Sequence, residues 1–276
     1  IDNDLTAGTI ELKKSLALNG NNKVNLSGVT WILSGTEVQS IGCRQESNLA
    51  NVINNNTKGL SLSNTLYVTE SFTDNTGNIN GTLYVNDLNV VKNGYFSGSV
   101  MLMKECELKN DLTVEGNLYL NKKLTCGEGV KNIKTGSLSV NDQFIVNAAN
   151  VHCIGDMTVL DYGILTMTDS DSYVLVDGNF EIKSYRDHSG YLTDGVLEIK
   201  GNFTQSSYVN FVATENHNTV LSKKMQGDRV YVQSVTFADK TGKARFNKLT
   251  LKKMPEYYKF SPEAEKIANE VEKKRR

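Results

Sequence analysis

The chain has 276 residues, 39% of them hydrophobic and 22% charged, and its 30 Lys and Arg nearly balance 31 Asp and Glu for a net charge of −1. That apolar content excludes an intrinsically disordered chain, and no apolar run approaches the roughly 18 residues needed to cross a bilayer, so no transmembrane segment is expected. Balanced charge also argues against nucleic acid as a partner, because phosphate binding needs clustered cations.

The 22 Gly stand against only 2 Pro and 1 Trp. With abundant Asn and Thr, this composition predicts many short strands joined by tight turns. No basic and apolar leader follows Ile1, so any secretion signal is expected upstream or already removed.

In chain order the first predicted strands are Gly8–Lys13 and Trp31–Ser34. From Gly81 a phrase recurs: Gly, any residue, aliphatic, any residue, aliphatic. It begins at Gly81, Gly98, Gly136, Gly155, Gly163 and Gly195, and the successive intervals are 17, 38, 19, 8 and 32. Each copy reads as a period-two strand behind a turn glycine. A second phrase, Val114-Glu115-Gly116-Asn117-Leu118, returns at Val176–Phe180 and Ile199–Phe203. Its Gly-Asn step is expected to supply a left-handed residue that bends the chain at a corner.

One such coil cannot bury its apolar face alone, whereas stacked coils share a core and pair each strand above and below. The predicted fold is therefore all-β, a parallel β-solenoid with a drifting period of roughly 19 residues. A hairpin-rich sandwich fits less well, because two-residue Asn-Gly hairpin loops are few.

A longer repeat is superimposed. Gly8–Lys13 matches Gly195–Lys200, and Trp31–Ser34 matches Thr219–Ser222 at almost the same offset. An insertion is expected near Arg229 to Gln233. On this basis residues 1–63 are read as the last coils of one module and 64–254 as the main module. Residues 255–276 are predicted to form a capping or linker helix, with Ser261 as the N-cap, Pro262 in the first turn, a narrow apolar stripe of Ala264, Ile267, Ala268 and Val271, and Lys273 to Arg276 suited to its C-terminus.

Gly35–Gly42, then Asn48–Asn55, then Leu60–Val68 resemble the phrases G-T-x-x-Q-T-I, F-N-N-L-x-I-x-N and L-x-L-x-G-x-L-x-V of repeat arrays in large secreted bacterial proteins. The stretch from Asn210–His217 through Phe246–Leu251 is similar to the version found in surface and toxin-bearing polypeptides of Firmicutes. Leu49 stands where that family has Phe. The resemblance spans most of the chain, but its motifs are structural. It implies an extracellular or cell-surface stalk, adhesive rod or display shaft whose partners are neighbouring modules of the same polypeptide and host or bacterial surface glycans or proteins.

Chemistry is sparse by comparison. Cys43, Cys106, Cys126 and Cys153 form no CxxC pair and read as core residues, although Cys106 and Cys126 can stack in successive coils. His152 beside Cys153 is a weak zinc signal. Asp169-Ser170-Asp171 and Asp177-Gly178-Asn179 offer oxygen ligands but read as solvated turns. Arg186-Asp187-His188-Ser189 reads as a polar loop. Glu107, Asp111, Glu115 and Asp142 can line up across coils as acid-base groups, and Tyr67, Tyr84, Tyr95 and Tyr119 can form sugar platforms. No catalytic, cofactor-binding or metal-binding residue is assigned. The expected role is a non-catalytic stalk or adhesive scaffold. The alternatives are a carbohydrate-binding or polysaccharide-degrading β-helix and the shaft of a toxin-delivery polypeptide.

Overall fold

Alternating aliphatic and polar residues put every second side chain on one face of a strand. In the computed structural model this alternation wraps a three-sided coil, shown by Gly94–Phe96, Val100–Leu102 and Cys106–Leu108, whose inward residues are all buried. The structure describes residues 7–18, 28–43, 48–206, 208–222, 225–226, 229–230 and 233–252. Successive coils stack in parallel, giving about ten turns of a β-solenoid with no helix among the described residues. The expected C-terminal helix lies outside the described residues.

Each side of the coil builds its own ladder. The first runs from Leu16–Leu18 through Gly94–Phe96, Asn150–Cys153 and Val196–Ile199 to Lys248–Leu251. The second runs from the start of Leu66–Asp74 through Val100–Leu102, Met157–Val159 and Phe203–Gln205 to Val235–Phe237. The third starts with Gly8–Leu12 and Val29–Leu33 and continues, after a break beyond Leu83–Val90, from Cys106–Leu108 to Ile164–Thr166. Beyond that it is reduced to single bridges, Met167 with Leu192, Leu192 with Ala213 and Val212 with Arg245.

The register converts the drifting period into a rule. On the second ladder Leu83 pairs with Val100, and the column continues through Leu118, Leu138, Met157, Phe180, Phe203 and Val235, in steps of 17, 18, 20, 19, 23, 23 and 32 along the chain. The link from first to second ladder stays nearly constant up to Phe203, so the early growth is on the third side. The longest step, from Phe203 to Val235, instead contains a short antiparallel pair, Met225–Gln226 with Arg229–Val230, at the expected insertion.

The constant corner is a column of glycines: Gly81, Gly98, Gly116, Gly136, Gly155, Gly178 and Gly201. A Cβ on Gly98 would lie 2.2 Å from the Gly81 carbonyl oxygen, one on Gly178 2.4 Å from that of Gly155, and one on Gly201 2.2 Å from that of Gly178. Amides bind along the column, Gly178 N–H to Gly155 O at 3.0 Å and Gly201 N–H to Gly178 O at 2.9 Å. The left-handed bend expected at the Gly-Asn steps is not what forms here. Gly116, Gly178 and Gly201 have no positive φ, and in this column only Gly81 does, so close approach between coils is what excludes a side chain.

One core cluster extends from Val29 to Leu221. Like residues stack in it, and near its C-terminal end Phe203 lies 5.7 Å from Phe180, 5.0 Å from Phe211, 5.1 Å from Phe237 and 4.8 Å from Phe246, ring centre to ring centre. The four cysteines are free and buried, and burial pushes the Cys126 and Cys153 thiols up to about 12. Cys106 and Cys126 do not stack, since Cys106 pairs with Leu124 and Cys126 with Leu108. The segments equated by the long repeat occupy different sides: Gly8–Leu12 and Val29–Leu33 are on the third ladder, Val196–Ile199 and Asn218–Leu221 on the first. They share a pattern but not a position on the coil.

Candidate functional site

The densest outward cluster of titratable groups is on the first ladder, where register aligns His152, Leu175, Glu198, Val220 and Thr250 across five coils. Tyr173 Oη donates to Glu198 Oε2 at 2.7 Å, and Lys252 Nζ donates to the same oxygen. One column over, Asp177 receives Lys200 Nζ at 2.7 Å and His152 Nε2 at 2.9 Å.

Electrostatics favour the ionised form of the two carboxylates in this cluster. Burial pushes the Glu198 carboxyl up, but the Lys252 ammonium and the Ser222 and Tyr173 hydroxyls more than offset it and hold the group below the usual carboxylate range. Burial likewise raises Asp177, and Lys200 and His152 outweigh it. Tyr173 is driven well above an ordinary phenol by burial and by the Glu198 charge. Every displaced carboxylate in the described residues moves downward, namely Glu11, Asp111, Asp177, Glu181, Glu198 and Asp239. Glycoside hydrolysis by a carboxylate pair needs one acid raised toward neutrality. Both carboxylates are paired with lysines, Asp177 with Lys200 and Glu198 with Lys252, and these pairs tie coils together.

The register separates the four acids that sequence could align. Glu107 is on the third ladder, Glu115 follows the first, and Asp111 caps a corner by accepting the Lys131 and Asn132 amides at 2.7 and 2.9 Å. Asp142 lines a separate cleft. Of the tyrosines, Tyr67, Tyr84 and Tyr119 do share one column on the second ladder, with Met101 between the last two, and the Tyr67 and Tyr84 rings are 4.9 Å apart. Tyr95 is on the first ladder, where a hydrogen bond to Glu115 raises its pKa.

The remaining motifs are structural. His152 points outward while its neighbour Cys153 points into the core, so the two do not converge. Asp169 accepts the Asp171 amide at 2.8 Å in a turn, and Asp156 Oδ1 accepts the Asn179 amide at 2.7 Å. No group of three His, Cys, Asp or Glu residues fit to hold a metal occurs among the described residues. The Arg186–Ser189 segment is not uniformly a polar loop. His188 is buried, its Nε2 accepts the Leu165 amide, its Nδ1 donates to the Arg186 carbonyl, and burial pushes its pKa down to about 4.

An open cleft of about 560 Å³ occupies the corner between the second and third ladders, lined by Asn121, Lys122, Asn141, Asp142, Asp161, Tyr162 and Arg186. It leads onto Tyr185 and Tyr208, which with Tyr162 make a second tyrosine column. The signal for that column is the equal spacing of its three tyrosines, the same interval that separates Val176–Phe180 from Ile199–Phe203.

The fold and these outward surfaces define a three-sided parallel β-solenoid. Compared with known proteins, the chain matches no family, no curated protein and no solved structure. No helix among the described residues is long and apolar enough to cross a membrane.

Proposed function

We propose that this chain is a non-catalytic rod, a stalk or adhesive scaffold segment of a large secreted or cell-surface bacterial protein. The observation that carries the reading is the uninterrupted stacking of the first and second ladders on a single core, locked at one corner by the glycine column. Such a stack transmits length and stiffness, and its outward ion pairs join successive coils. The downward displacement of the paired carboxylates supports a structural rather than an acid-base role for them.

Neighbouring modules of the same polypeptide are the proposed axial partners. Val235–Phe237 and Lys248–Leu251 each have a parallel neighbour on one side only among the described strands, and such an edge is a surface onto which another coil can stack. Ten coils at roughly 4.8 Å per coil give a rod of about 50 Å. Small-angle scattering tests this directly: an elongated particle of at least that length supports the rod, and a compact one overturns it. Antibody labelling of intact producing cells tests the cell-surface placement.

A further inference from the structure

Tyr162, Tyr185 and Tyr208 occupy the same corner of three successive coils, with ring centres 6.3 and 5.5 Å apart. They are 66, 57 and 64% exposed, whereas Tyr67, Tyr84 and Tyr119 are half-buried in their own column. A ladder needed only for packing would cover its rings.

The backbone holds this exposed column at a conformational cost. Tyr208 is left-handed, with φ of 54°, a conformation that a bulky residue adopts only when its surroundings impose it, and Asp161 before Tyr162 is left-handed as well, with φ of 41°. The surroundings are specific. The Tyr185 amide donates to the Asp161 carbonyl at 2.6 Å. The buried Gln205 amide donates to the Tyr208 carbonyl and to Asn210 Oδ1, and buried Asn210 donates to the Ser184 carbonyl at 2.6 Å. Two core amides thus fix the presentation of a solvent-facing aromatic ring.

The adjoining cleft supplies the complementary chemistry. Asn141 Nδ2 donates to Asn121 Oδ1 at 2.8 Å, and Lys122 and Arg186 balance Asp142 and Asp161. A charge-neutral strip of amides, carboxylates, an ammonium and a guanidinium suits hydroxyl groups, each of which both donates and accepts, better than it suits a polyanion. Tyrosine rings offer apolar faces for C–H surfaces and a hydroxyl at the rim, and here successive rings meet edge to face, at 65° and 78°.

We propose that this corner binds an uncharged polysaccharide lying along the rod, with about one sugar ring per coil. The step between rings is close to the length of one pyranose residue. A polyproline helix, the other extended ligand that aromatic ladders take, repeats only every three residues, about 9 Å, which the tyrosine spacing does not match. From Asn121 to Tyr208 the strip crosses five coils, so affinity grows with chain length up to about five sugars.

Titration calorimetry of the full chain with hexasaccharides of β-1,4-glucose, β-1,4-mannose, β-1,4-xylose, β-1,4-N-acetylglucosamine and β-1,3-glucose tests the inference, with hexaproline and polygalacturonate as comparators. At least one neutral hexasaccharide binds, and its disaccharide binds at least tenfold more weakly. Tyr185→Ala, which removes an exposed side chain, weakens binding tenfold or more with an unchanged melting temperature. Tyr67→Ala, three coils before Asn121, and Tyr95→Ala, on the first ladder, stay within twofold. The inference is overturned by a blank neutral panel, by binding that survives the combined Tyr162, Tyr185 and Tyr208 alanine variant, or by a preference for hexaproline or polygalacturonate. It deepens the scaffold reading by giving the rod a ligand, and the two fail separately: a blank panel leaves the rod intact, and a compact scattering profile leaves the binding result standing.

Discussion

Replacing Gly201 by alanine tests the idea that contact between coils, and not backbone conformation, selects glycine at the constant corner. The added Cβ would lie 2.2 Å from the Gly178 carbonyl oxygen and 2.5 Å from its carbon, against the 3.0 Å that real Cβ contacts respect. The obstructing atoms are backbone on both sides, so no side chain can swing away. The two coils must separate locally, which stretches the 2.9 Å bond from the Gly201 amide to the Gly178 carbonyl. Overpacking of this kind costs about 1–3 kcal/mol and the weakened bond about 1 more, so roughly 2–4 kcal/mol is expected. Gly242→Ala is the control: Gly242 has φ +77° and nothing within 4 Å of the place a Cβ would take, so only left-handed strain of about 1–2 kcal/mol applies. Urea denaturation of both variants measures the difference, and hydrogen exchange should show the Gly201→Ala loss centred on the amides of the two adjoining coils. A Gly201→Ala variant within about 0.5 kcal/mol of the parent, the scatter of ordinary surface substitutions, would refute the argument.

Acidification offers a second test through His188. Its folded pKa is pushed down to about 4 from an ordinary 6.5, so below 6.5 the unfolded state takes up a proton that the native state refuses. Stability from this group is complete above that value and falls by roughly 3 kcal/mol as pH drops to 4. His188→Gln can keep both hydrogen bonds without titrating and should flatten that part of the profile; parallel slopes for parent and variant would contradict the assignment. Glu198→Gln is expected to cost about 1 kcal/mol at pH 7, since it loses the charge paired with Lys252 while keeping an acceptor for Tyr173. Because the folded pKa of Glu198 is depressed, this difference is present above the unfolded carboxylate value and vanishes as pH falls through the folded one, which a series of denaturation curves from pH 7 downward will reveal. Phe203→Ala removes the hub of the phenylalanine cluster and should cost about 3–5 kcal/mol in chemical denaturation, with no change in rod length by scattering.

The sequence by itself determined the coil. Alternation along segments such as Leu83-Tyr84-Val85, closed by recurring glycines, leaves an apolar face that only a neighbouring coil can cover, and this requirement is local enough to read without coordinates. Even the lengthening of the later coils was legible, because Val176–Phe180 and Ile199–Phe203 repeat at the wider interval. The tertiary structure alone decided what depends on register. Glu107, Asp111, Glu115 and Asp142 looked alignable because nothing in a one-dimensional pattern states which of three sides a residue occupies. Variable growth of the third side shifts that assignment from coil to coil. The same ambiguity equated Gly8–Lys13 with Gly195–Lys200, which fall on different sides. Glycine carried two meanings in one letter, close approach without left-handed φ at Gly178 and Gly201 and left-handed φ with nothing nearby at Gly190 and Gly242, and only the backbone φ and the nearest atoms together distinguish them. Tyr162, Tyr185 and Tyr208 become a surface only when stacking brings these evenly spaced residues to within about 6 Å of one another, a distance set by the spacing of the coils rather than by any property of the chain between them.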